Sequence, residues 1–380
     1  MARLDRWWGR LAVAGLAALS FGALGATAAV VAHRSERSRP GASASPRRCA
    51  TGQRDCATLR AGTGPPPLGL YVGPGQLSDA VAVDQQLEGR ATYALDFLSD
   101  QSWSTISDPS WLARAWRGGS FRMIVGVPML PASGATLYQG ATGAYDPVFA
   151  ALAAGLVRDG LANAVLMIGW QPEDPGQPWY VSSPAAARAY VRYWDDISAS
   201  MARVRGAHFR FEWEAGEVVG SLLSPAATYP GNAAVDVVAT DAFDVLPTRV
   251  QVATRWAYIV DRRGGPAWMR AFATSHGKPL AIAMWGVAPP AAGGGGDDAT
   301  FVSQVLRWAG ANRVEMCVLW DYGSWALTGG AYPHALSALE GAVSAPRASA
   351  ARRRSPTEGR RATDVFGTVD SYHARVEPNR

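Results

Sequence analysis

Residues 164–213 read AVLMIGWQPEDPGQPWYVSSPAAARAYVRYWDDISASMARVRGAHFRFEW. The stretch opens on an apolar run, Ala164–Trp170. A loop punctuated by Pro and Gly follows, then a helix-like segment over 184–205, then a second run, His208–Trp213. The first run is almost continuously apolar, as a strand buried on both faces should be. Strand, helix and strand in that order form the repeating unit of a parallel α/β sheet.

The same alternation extends in both directions. Leu68–Val72, Ala91–Phe97 and Phe121–Val127 precede the unit as strand candidates, and Val235–Ala242, Pro279–Trp285 and Val314–Asp321 follow it. Helix-like segments lie at 109–117, 146–159, 248–260, 266–276, 298–311 and 333–344. Eight strands alternating with helices predict an α/β fold, a (β/α)8 TIM barrel over residues 67–345. A doubly wound open sheet shares the alternation. However, Gly73-Pro74-Gly75 after the first strand is a turn and lacks the GxGxxG fingerprint. No solenoid repeat is present.

Hydrophobic residues make up 48% of the 380-residue chain and charged residues 18%, which excludes a wholly disordered polymer. The net charge of +5 is unevenly placed. Residues 1–48 hold eight Arg against Asp5 and Glu36, and residues 346–380 hold eight Arg against four acids. The intervening body has 20 bases and 25 acids, a net of −5. An acidic body offers no phosphate-neutralising face, so nucleic acid is excluded as its partner.

Residues 11–32, LAVAGLAALSFGALGATAAVVA, are uncharged and mostly apolar, and Arg3, Arg6 and Arg10 precede them. A basic start, an apolar run and small residues at its end read as an export signal over 1–32, with cleavage after Ala28 or Ala32. The run is also long enough to anchor in a membrane uncleaved. Both alternatives place the remainder outside the cytoplasm, secreted or membrane-anchored. Residues 33–66 read as an Arg/Ser/Pro-rich linker and 346–380 as a disordered basic tail. Cys49 and Cys56 enclose a short polar loop and are placed to form a local disulfide in an oxidising compartment, whereas Cys317 sits in an apolar run and reads as a buried thiol. With no CxxC and no Cys/His cluster, no metal and no cofactor are expected. Asp297-Asp298 after Gly293–Gly296 lacks the GK[ST] of a phosphate loop and reads as a helix cap. His208, His276 and His334 form no readable triad.

In a (β/α)8 barrel the strand ends and the loops after them carry function. Trp170, Trp213, Trp285 and Trp320 close strands 4, 5, 7 and 8, while Trp179, Tyr180, Tyr322 and Trp325 lie in the following loops. Aromatic faces stack on the C–H faces of sugar rings, and carboxylates accept from sugar hydroxyls. Trp170, Trp179, Trp213, Trp285, Trp320, Tyr322, Glu214 and Asp241 are therefore candidate substrate-binding residues for a polysaccharide or oligosaccharide.

Several ordered strings resemble glycoside hydrolase family 26, the β-mannanase-like TIM-barrel glycosidases. They are LGLYVGPG at 68–75, GAYDPVFAALAAGL at 143–156, VLMIGW at 165–170, YPGNAAVDVVATDAFD at 229–244, GKPLAIAMWG at 277–286 and GGGGDDATF at 293–301. The resemblance implies a retaining mechanism with an acid/base glutamate after strand 4 and a nucleophilic glutamate at the end of strand 7, about 5–5.5 Å apart. The family's strand-4 pattern is Arg-Leu-Gly-Trp-Glu; here Met167-Ile168-Gly169-Trp170-Gln171 puts Gln171 at the acid/base position. The family's strand 7 ends Glu-Trp-Gly; here Met284-Trp285-Gly286 puts Met284 at the nucleophile position. Phe243 stands where the family has a supporting Tyr. An amide cannot protonate a leaving oxygen at neutral pH, and a thioether cannot form a glycosyl ester. Three readings follow: a polysaccharide-binding barrel without the family's hydrolysis, a glycosidase or transglycosylase with relocated carboxylates such as Glu173, and a module for a protein partner. Glu212, Glu217, Asp244 and Asp321 are further carboxylates near strand ends, read as solvated rim residues or hydroxyl acceptors.

Overall fold

A computed structural model describes residues 65–216, 223–246 and 251–344. The export signal or anchor, nearly all of the linker with Cys49 and Cys56, Glu217 and the basic tail lie outside the described residues.

The elements follow in order. β1 (Leu68–Tyr71) leads to α1 (Leu77–Gln86), and β2 (Ala91–Phe97) to α2 (Trp103–Ser107) and α3 (Ser110–Ala115). β3 (Arg122–Val127) leads to α4 (Leu137–Gly140) and α5 (Asp146–Arg158), and β4 (Val165–Ile168) to α6 (Pro184–Ala202). β5 (Arg210–Glu214) is followed by β6 (Val237–Phe243), α7 (Val252–Asp261) and α8 (Pro266–Ser275). β7 (Leu280–Gly286), α9 (Ala299–Ala311), β8 (Cys317–Trp320) and α10 (Pro333–Val343) complete the body. The strands form a closed parallel barrel in sequence order, with β1 paired to both β2 and β8. The fold is the expected (β/α)8 barrel.

Closure accounts for the burial. β1, β4, β7 and β8 are buried at every residue, because lumen side chains cover one face and helices the other. The long helices begin where the sequence supplies a start signal. Pro stands in the first turn of α5, α6, α8 and α10, where its missing N–H leaves no bond unmade. The Ser183 hydroxyl accepts from Ala186 N–H at the head of α6, and Asp298 accepts from Phe301 N–H at the head of α9. The helix-cap reading of Asp298 is thus the observed one.

Several boundaries differ from the sequence reading. β4 stops at Ile168 rather than Trp170, because Gly169 (φ 58°) and Gln171 (φ 48°) turn into left-handed backbone. β8 begins at Cys317 rather than Val314. The α1 helix between β1 and β2 was not expected at all. Only Ala80 and Val83 of α1 are buried, and its first residue has no side-chain cap, so its pattern is weak. Between β6 and β7 the register shifts: Thr240 faces Ile282 while Asp241 faces Met284. A bulge at this point re-aims the end of β7.

Candidate functional site

The C-terminal end of the barrel holds two adjoining groups, a cluster of carboxyls and a wall of aromatic rings. The carboxyls come from β5, β6 and the loop after β4. Strand alternation turns Glu212 and Glu214 of β5 into the lumen, while Trp213 between them packs on Phe272 of α8 and on Tyr229 (centroids 5.5 and 5.0 Å). Glu212, Glu214, Asp244 and Asp321 are all buried, not solvated rim residues. Burial pushes the Glu212 carboxyl up to about 8, with Asp241 adding repulsion. Glu214 is pushed well above its ordinary range by burial and by the neighbouring charges of Asp241 and Glu173.

Gln171 ties the cluster together. Its backbone N–H donates to Glu214 Oε2 at 2.7 Å, and its side-chain Nε2 donates to Asp241 Oδ2 at 2.5 Å. Two anchors hold a non-glycine residue at φ 48°, a conformation that persists only where its surroundings over-determine it. Asp241 is also the register partner of Met284 across the β6–β7 bulge, and the Met284 backbone favours its ionised form. The acid/base and nucleophile positions inferred from the family resemblance therefore converge on one aspartate. Met284 and Met167 are buried and apolar.

Glu173 and Asp241 keep part of their surface open, with protein enclosing the rest. Burial raises Glu173 to about 8 and Asp241 to about 7. Glu173 Oε1 accepts from Gly216 N–H at 2.6 Å. A Cβ built on Gly216 would stand 3.0 Å from Glu173 Oε1 and 3.9 Å from Glu214 Oε1, so both carboxyls face the same small space. Neither Asp244 nor Asp321 joins them. Asp244 pairs with buried Arg255, and Asp321 accepts from Thr328.

The aromatic wall runs from Trp179 through Trp170 and Phe97 to Tyr71, with successive ring centroids 4.8, 4.8 and 5.4 Å apart. Tyr71 stacks on Trp320 at 4.1 Å and meets Tyr322 edge-on at 5.7 Å. Phe243 touches Trp320 and Trp325, closing the row. Gly73 permits it: with φ 104°, a Cβ there would sit 2.6 Å from the Tyr322 ring. Trp170, Trp179, Trp320 and Tyr322 are thus brought together, but the three tryptophans are buried in the wall and only Tyr322 keeps open surface. Trp213 lies in the helix layer, and Trp285 is wholly enclosed in β7 with its indole N–H unpartnered. Phe97 and Tyr322 keep open surface, and Tyr180 is exposed. The sequence reading missed Tyr71 and Phe97, although both end their strands as Trp320 does.

Among the described residues, no group of three or more His, Cys, Asp or Glu is arranged to hold a metal ion, and no helix is long and apolar enough to cross a membrane. Cys317 is a buried free thiol whose ionisation is pushed upward by burial.

No protein-family model and no curated protein matches the sequence. Solved structures do match in fold. A β-mannanase from a symbiotic protist of the termite Reticulitermes speratus, solved with a gluco-manno-oligosaccharide, superposes with a TM-score of 0.50. It is 14% identical over 75% of this chain and 88% of that one. The family 26 endo-β-1,4-mannanase of Cellulomonas fimi gives 0.51 at 17% identity, over 74% of this chain and 71% of that one. A monomeric β-xylosidase from Caulobacter crescentus CB15 gives 0.50 at 15% identity, over 74% and 69%. The chain carries a (β/α)8 barrel and is similar in fold to the family 26 mannanases. At these identities the likeness is one of fold.

Proposed function

We propose that the protein is an exported barrel that binds β-linked polysaccharide, mannan- or glucan-like, at its C-terminal mouth without retaining hydrolysis. The observation that carries this reading is Gln171. At the position where the resemblance calls for a proton donor stands an amide, held by Asp241 and lying beside a wall of aromatic rings. Met284, on the strand next to Asp241 and buried, offers no nucleophile. The basic start and apolar run of residues 1–32 support export.

A second reading is supported by Glu173. Glu173 keeps part of its surface open and lies near Asp241, and burial raises Glu173 to about 8 and Asp241 to about 7. An acid and a base with separated pKa values are the elements of a relocated glycosidase pair.

One experiment separates the readings. The purified protein is titrated with manno-, gluco- and xylo-oligosaccharides by calorimetry, and reducing-sugar release is followed in parallel. Binding without release is expected. Release that survives Gln171→Ala but disappears in Glu173→Ala would establish the relocated enzyme instead.

A further inference from the structure

Once its carboxyls are ionised, the cluster is rich in acceptors and poor in donors. Gln171 Oε1, Asp241 Oδ1, Glu214 Oε1 and both Glu212 oxygens are buried without a hydrogen-bond partner. Unpaired buried polar atoms are costly and call for an explanation. The Gln171 oxygen is the telling one, because it belongs to an amide that cannot titrate. Gln171 is 8% exposed and bonded on either side to Glu214 and Asp241, so its free carbonyl oxygen sits among the carboxyls. Two cations act on the group. Arg210 is already engaged by both oxygens of Glu315, and Arg262 acts on Asp241. The described residues hold no metal-binding arrangement there.

We propose that this end of the barrel, between β4, β5 and β6, is a subsite for a protonated amino sugar, and that the glycan bound is a β-linked polymer bearing free amines. The inference rests on the glycan-binding reading above and specifies its substrate class. A neutral hydroxyl brings one donor and two lone pairs, whereas an ammonium brings three donors and no acceptor. The second inventory matches a cluster made of acceptors. Access is beside Glu173 and Asp241, the two residues of the cluster that keep part of their surface open. A ring platform lies beside them: Trp170 precedes Gln171 in the chain, and the partly open ring of Phe97 packs against it. An amine entering the cluster would replace protons on the carboxyls with a fixed positive charge, so binding should release protons to the buffer.

The test compares three β-1,4-linked oligomers of equal length on the full chain by calorimetry at pH 6: de-N-acetylated glucosamine, its N-acetylated form, and mannose. The amine-bearing oligomer should bind roughly tenfold or more tightly than the other two, as a charge-assisted hydrogen bond implies. Runs in two buffers of different ionisation enthalpy should report proton release for that oligomer alone. The isosteric variants Asp241→Asn and Glu173→Gln, with folding checked by thermal unfolding, should lose the preference. Equal affinity for all three oligomers would overturn this inference and leave the glycan-binding reading standing. Absence of binding to any of them would overturn both. An oligolysine that binds as tightly as the amino-sugar oligomer would show that charge alone is read, and would also overturn it.

Discussion

Glu212 is the sharpest place to perturb the barrel. It lies in the lumen, 1% exposed, with neither oxygen hydrogen-bonded. Burial raises its carboxyl from 4.5 to about 8. Between those values the folded chain keeps a proton that the unfolded chain has lost. Stability tied to this group is therefore greatest near pH 4.5 and falls as pH rises toward 8. At about 1.4 kcal/mol per pH unit, the loss across that window is on the order of 3–5 kcal/mol. Glu212→Gln keeps the shape of the protonated acid and removes the titration. The variant and the parent should be about equally stable at pH 4.5, and the variant should be more stable by several kcal/mol at pH 8. Urea unfolding of both proteins at half-unit pH steps measures the difference directly, and titrating groups remote from Glu212 cancel in the comparison. Curves that run parallel from pH 4.5 to 8 would refute the argument, because they would mean that Glu212 titrates alike in the folded and unfolded chains.

Two further outcomes concern the frame around the site. Arg255 is buried and bonds the Asp244 carboxylate, the Asp244 carbonyl and the Gly293 carbonyl, so Arg255→Ala should cost about 3–5 kcal/mol in chemical denaturation by leaving a buried carboxylate unpaired. Gly169 has φ 58°, and a Cβ there would overlap Met129 Sδ, so Gly169→Ala should lower stability by at least about 1–3 kcal/mol and move the Gln171 backbone. Unchanged thermal unfolding of Gly169→Ala would show that the turn after β4 is not fixed by that glycine.

Much of the barrel was legible because buried parallel strands announce themselves. β2 matches its apolar run residue for residue, and α5, α6 and α8 begin at Asp146, Pro184 and Pro266 as read. Prolines in their first turns carried that signal. The α1 helix was invisible because LSDAVAVDQQ buries too little to set a helical period. The site was legible in composition but not in depth. Residue type suggests that acids at strand ends face water. Glu212 and Glu214, however, sit two apart with Trp213 between, so one face must take the acids and the other the indole. Had the alternation been followed, it would have sent Trp213 to the helices and both glutamates to the lumen. The link between Gln171 and Asp241 joins residues 70 apart in the chain. No local pattern encodes such a contact, which comes from closing β4 and β6 around the same axis.

The pairing of β1 with β8 also governs how the chain can be made. Leu68–Tyr71 stands at the start of the barrel, and its second partner, Cys317–Trp320, is the last strand to be synthesised. Until that strand arrives, β1 and β7 each present an uncovered row of backbone donors and acceptors, the kind of edge on which chains stick to one another. So distant a contact also forms slowly. A chain cut short before Cys317 would thus keep seven of its strands and lack β8 and α10. It should be recovered as aggregate rather than as a slightly smaller barrel.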